Sequence, residues 1–63
     1  MFEKIHLEAL FAELDSQWRG TPEFDVLSRQ AHLGIALFDA GRPLDNKIDA
    51  RVMALIEKHK PQG

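Results

Sequence analysis

Arg19-Gly20-Thr21-Pro22-Glu23-Phe24-Asp25 decides how this chain is read. Glycine supplies the left-handed residue at which helices commonly stop. Threonine can cap the next helix with its hydroxyl, and proline fits a first helical position, where no intrahelical donor is lost. Glu23 and Asp25 suit the positive end of a helix dipole. The segment therefore predicts a first helix over about residues 2–19 and a second over about 22–40.

Working outward, Gly41 stops the second helix in the same way, and Arg42-Pro43-Leu44 reads as a short extended link. Asp45 or Asn46 can cap a third helix over about 45–59. Lys58, His59 and Lys60 suit its C-terminal end, Pro61 stops it, and residues 61–63 read as a frayed tail. Eight Leu and seven Ala stand against four Ile, two Val and one Thr, and alternating runs are missing. The chain reads as all-α, a single domain over residues 1–60: an antiparallel helical hairpin plus a third amphipathic helix.

The spacing of apolar residues predicts how these helices meet. Helix 1 carries one row at Leu7, Phe11, Leu14 and Trp18, with Leu10 alongside. Nearly opposite lies a second row at Phe2, Ile5, Ala9, Ala12 and Ser16. Helix 2 carries Phe24, Leu27, Ala31, Gly34 and Phe38, and a second row through Val26, Gln30, Leu33, Leu37 and Ala40. Helix 3 has one broad stripe, Leu44, Ile48, Val52, Leu55 and Ile56. Pairing helix 1 with 2 and 2 with 3 uses four of these five rows. The Phe2, Ile5, Ala9, Ala12 face is left over. An isologous two-fold contact would cover it, and the two alanines would let helices approach closely. Dimerisation, or another helical protein, is thus expected to complete the fold. Trp18, just before the turn, is expected to face a partner as well. Gly34 is expected to mark a close approach by helix 1 or 3.

Sixty-three residues bury little core, and small domains usually add a disulfide, a metal or a partner chain. With no cysteine, disulfides and thiolate zinc sites are absent. The N-terminal MFEKIHLEAL lacks the apolar run of a signal peptide, and no stretch approaches the length needed to span a bilayer. A cytoplasmic protein without membrane contact is expected. The net charge of −2 gives no general attraction to nucleic acid. The charge is uneven: residues 1–39 carry three Lys/Arg and seven Asp/Glu, residues 40–63 five and three.

Candidate chemistry is sparse. Glu3 and His6 form one E-x-x-H pair, where bundle di-iron sites use two pairs plus further glutamates. His32 shares the polar arc of helix 2 with Ser28, Asp25 and Asp39. Without an oriented base and an oxyanion hole this is a solvated histidine rather than a catalytic one. No metal, cofactor or catalytic residue is assigned. Arg42, Lys47, Arg51 and Lys58 form the basic cluster of helix 3 and could contact phosphates. Asp45, Asp49 and Glu57 interrupt it, and no set of side chains for base edges is displayed. The sequence points to a non-enzymatic protein–protein interaction module acting through Phe2, Ile5, Ala9, Ala12 and Trp18. A small nucleic-acid-associated transcriptional regulator is the alternative. Size and class suggest settings such as a small bacterial regulator or inhibitor, an antidote subunit or a secretion co-chaperone.

Overall fold

A computed structural model describes residues 1–61. Three helices, α1 (Lys4–Trp18), α2 (Phe24–Asp39) and α3 (Ala50–His59), pack on one another around a shared core, and no strand occurs among the described residues. Leu10, Leu14, Leu27, Ala31, Val52, Leu55 and Ile56 fill that core. All come from the first row of α1, the first row of α2 and the stripe of α3. The expected frayed tail falls mostly outside the described residues.

Both glycine stops hold their predicted role. Gly20 and Gly41 have φ of +87° and +72°, the region that a Cβ disfavours. Around Gly41 the last carbonyls of α2 are closed by Gly41 N–H to Phe38 O at 3.0 Å and Arg42 N–H to Leu37 O at 2.9 Å. This is the Schellman pattern, which satisfies carbonyls that a helix end would otherwise leave open.

The caps differ from expectation. Thr21 does not cap α2: its hydroxyl donates backwards to the Trp18 carbonyl at 2.7 Å, closing α1. Pro22 and Glu23 lie in the turn, and α2 starts at Phe24. Asp45 does not start α3 either. Its carboxylate accepts from Lys47 N–H at 2.9 Å in a local turn, and Ile48 then drops into the core at 4% exposure. The cap of α3 is Asp49, whose side chain accepts from Arg51 N–H at 2.8 Å. Burying Ile48 in a turn delays the helix by one aspartate.

That delay changes the topology. The stretch between α2 and α3 folds back along α2. The Gln30 side chain donates to Lys47 O at 3.4 Å and accepts from Asp49 N–H at 2.8 Å. A Cβ added at Gly34 would meet the tip of Ile56 and lie 3.5 Å from Ile48 Cδ1. Helix 3 is thus the element that approaches Gly34, and it does so with side chains. Phe2 against Phe38 and Phe11 against His32 show α1 running against α2. Arg51 beside Trp18 and His59 beside Glu13 show α3 running against α1, hence in the general sense of α2. Each helix touches both others, so the rows are used differently from a simple 1–2, 2–3 chain of contacts. The exposed area is 4406 Å², near the roughly 4100 Å² that a folded chain of 7.2 kDa shows.

Candidate functional site

Closing the core with α3 sorts the polar and apolar surface into three regions. The first is the α1–α3 seam. Here Arg51 spans three elements: it forms a two-pronged pair with Asp49 at 3.0 and 2.9 Å, reaches Glu23 in the α1–α2 turn, and lies 5.9 Å over the Trp18 ring. The Arg51 hydrogen bonds hold the Asp49 carboxyl down to about 2 and raise the Arg51 guanidinium above its ordinary value. Further along, Glu13 accepts from Lys58 at 2.9 Å and pairs with His59 at 2.8 Å. The Lys58 hydrogen bond, then that of His59, lowers the Glu13 carboxyl. An open groove of about 260 Å³ runs between these clusters over Trp18, Ala54 and Leu55. His59 therefore does more than balance a helix end, because it ties α3 to α1.

The second region is the outer row of α1, where a leftover face was expected. Ile5 is 68% exposed, and Ala9 and Ala12 are exposed too. Phe2 leaves the row. It precedes α1, is 5% exposed, and its ring meets Phe38 edge-on at 5.2 Å, while its N–H donates to the Asp39 carboxylate at 2.8 Å. The row counted Phe2 at helical spacing, but the chain there is not yet helical, so the side chain turns inward. What is left is one large apolar residue and two alanines. Trp18 is half-buried in the seam, away from this row.

The third region is the outer face of α2 with the following linker. Val26 and Leu33 are each 52% exposed, and Leu37 and Leu44 are half-buried beside an open groove of about 450 Å³ that Arg42 and Pro43 also line. The apolar row through Val26, Leu33 and Leu37 is legible in the sequence, but it does not pair with α3. Helix 3 instead packs where Gly34 makes room, about 100° round the helix from Leu33. The unexpected apolar surface is therefore on α2.

The four cations of the basic cluster do not form one face. Arg51 and Lys58 sit in the seam and are paired with carboxylates of this chain. Arg42 and Lys47 lie in the linker. Glu3 and His6 form the reciprocal arrangement of a capping box at the start of α1, with Glu3 N–H donating to His6 Nδ1 at 3.4 Å. His32 is exposed and stacks on Phe11, ring centres 4.6 Å apart. Among the described residues no three His, Asp or Glu side chains gather as a metal ion would require, and no helix is long and apolar enough to cross a membrane.

The chain matches no protein-family model, no curated protein and no solved structure in the comparisons made.

Proposed function

We propose that this protein is a non-enzymatic protein–protein interaction module, a small cytoplasmic helical regulator of the inhibitor or co-chaperone kind. It docks on another polypeptide by helix packing. One observation carries this reading: the core is filled by α1, α2 and α3, yet Val26 and Leu33 stand half-exposed two turns apart on one face of α2, in line with the half-buried Leu37. Scattered surface leucines are ordinary, whereas large apolar residues aligned on one helix face of a small domain suit a contact surface. The Ile5, Ala9, Ala12 row of α1 is a smaller surface of the same type and would suit close approach by a second copy. The nucleic-acid alternative draws less support, because Arg51 and Lys58 are engaged by Asp49, Glu23 and Glu13.

Photo-crosslinking in the native cell tests this reading. A photoreactive residue replaces Leu33, Ile5 or, as a control, the exposed Glu57 of α3. The expected result is a discrete adduct with a second polypeptide from the Leu33 position, lost on Val26→Asp and absent from the control. Equal labelling from all three positions, or none, would overturn the reading. An adduct of twice the chain mass from Ile5 alone would shift the contact to α1.

A further inference from the structure

We infer that the outer face of α2 and the Arg42–Lys47 linker dock an acidic amphipathic helix of another protein. The inference rests on the interaction reading above and specifies the chemistry of the occupant.

The chain has eight Lys/Arg and ten Asp/Glu, so carboxylates are plentiful. Lys4, Arg19, Arg51, Lys58 and Lys60 each lie within 4 Å of one. Among the described residues Arg29, Arg42 and Lys47 pair with none. These three share one neighbourhood. Arg29 lies three residues after Val26 and four before Leu33, spacings that place all three side by side on α2. Arg42 donates its N–H to the Leu37 carbonyl at 2.9 Å and lines the groove with Leu37 and Leu44. The Lys47 carbonyl accepts from Gln30, which is three residues from Leu33 and four from Val26.

At about 100° per residue, Asp39 falls on the flank towards α1, where it holds the Phe2 N–H, whereas Asp25 lies one turn before Arg29 and about 40° from it. The carboxylates on this rim are Asp25 and Asp45, of which Asp45 accepts from Lys47 N–H. An acidic protein thus presents an apolar row bordered by three cations and two anions.

A surface of this kind fits a helix with apolar residues at spacings of three and four and acids on its flanks. Val26 to Leu37 spans eleven residues, about 16 Å, which is three turns of a docked helix. The apolar row lies on the strip, and the flanking carboxylates meet Arg29, Arg42 and Lys47. Arginine's planar fork suits bidentate carboxylate contact. A nucleic acid would use the cations but leave Val26, Leu33 and Leu37 unmatched.

The test uses the whole chain, isotope-labelled, in titrations followed by amide chemical shifts. Two synthetic amphipathic peptides share one leucine stripe, one flanked by Glu and the other by Lys. A single-stranded oligothymidine is the third probe. The Glu peptide is expected to saturate, with shifts centred on Val26, Arg29, Leu33, Leu37, Arg42 and Lys47, and to weaken with added salt. The triple variant R29E/R42E/K47E should bind it about tenfold less tightly and should favour the Lys peptide. A double variant reversing Lys4 and Arg19 on α1 should bind as wild type, and circular dichroism checks that every variant stays helical.

Equal binding of the Lys peptide, binding of oligothymidine to this face, or failure of the Glu peptide to saturate would overturn the inference. So would peptide-free broadening of these amides that grows with protein concentration, which would assign the face to a second copy. If the acid preference fails while Leu33 still crosslinks specifically, only the occupant is wrong. If both fail, the interaction reading falls with it.

Discussion

The α1–α3 seam and the outer face of α2 are built from the same kinds of residue and used in opposite ways. In the seam, Arg51 and Lys58 are matched by carboxylates from other elements, and Trp18 is half-covered by Arg51. On α2 and in the linker after it, Arg29, Arg42 and Lys47 have no such match among the described residues, and Val26 and Leu33 stand half-open. A basic residue on this chain is therefore not by itself a sign of a binding face. Intrachain pairing separates the cations that hold helices together from those free to meet something else.

Substitutions at four places sharpen or break this contrast. The largest effect belongs to the core that both regions share. Leu14 is 1% exposed, so Leu14→Ala should destabilise by about 2–5 kcal/mol in denaturant unfolding, through lost burial and an incompletely collapsed cavity. A loss below about 1 kcal/mol would show that the helices do not close as described.

Next is Gly34. Alanine there gains about 1 kcal/mol of helix propensity but pushes against the Ile56 tip, and overpacking costs roughly 1–3 kcal/mol. Gly34→Ala should come out mildly destabilising. Combined with Ile56→Val, which removes the Cδ1 in question, it should be more stable than the two single effects sum to, by about 1 kcal/mol. Simple additivity would mean that Ile56 does not occupy that space.

A smaller, pH-dependent effect tests the seam. The Asp49 carboxyl, ordinarily at 3.8, is held at about 2 by Arg51. A depressed carboxylate contributes stability above its unfolded value and loses it as pH falls through the folded one. Wild type should therefore lose stability between about pH 4 and 2. Arg51→Gln should be less stable at neutral pH and converge with wild type towards pH 2. Parallel curves would show that the Asp49–Arg51 pair is not formed in solution. Asp49→Asn keeps an acceptor for the cap while losing the charge, so it separates capping from pairing.

Smallest of all, Leu33→Ser should leave stability within about 0.5 kcal/mol, because an exposed residue outside the core contributes little. A marked loss would mean that Leu33 belongs to the fold rather than to a contact surface.

The helices and their glycine stops are legible in the sequence because periodicity and positive-φ glycines act locally. The caps are less so. Asp45 and Asp49 are the same residue type four positions apart, and only the burial of Ile48 between them decides which caps α3. Thr21 has a hydroxyl that can serve the helix before it or the helix after it, and the carbonyl of Trp18 takes it. Apolar spacing likewise reveals the Val26–Leu33 row but not its neighbour. Which side of α2 receives α3 depends on Gly34 making room for Ile56, a contact between residues far apart in sequence. Phe2 was misplaced for a different reason, since helical spacing was extended to a residue ahead of the helix.

The returning linker has a kinetic consequence. The α1–α2 hairpin closes through residues 19–23, whereas α3 is joined through the longer stretch 40–49, which doubles back and is held by Gln30 at Lys47 and Asp49. Closing the longer loop costs slightly more chain entropy, and parts of a fold can open as separate units. Helix 3 should therefore behave as a separate opening unit, with amides of residues 52–58 exchanging with solvent faster than those of Leu10, Leu14 and Leu27. Uniform exchange across all three helices would show instead that the domain opens as one.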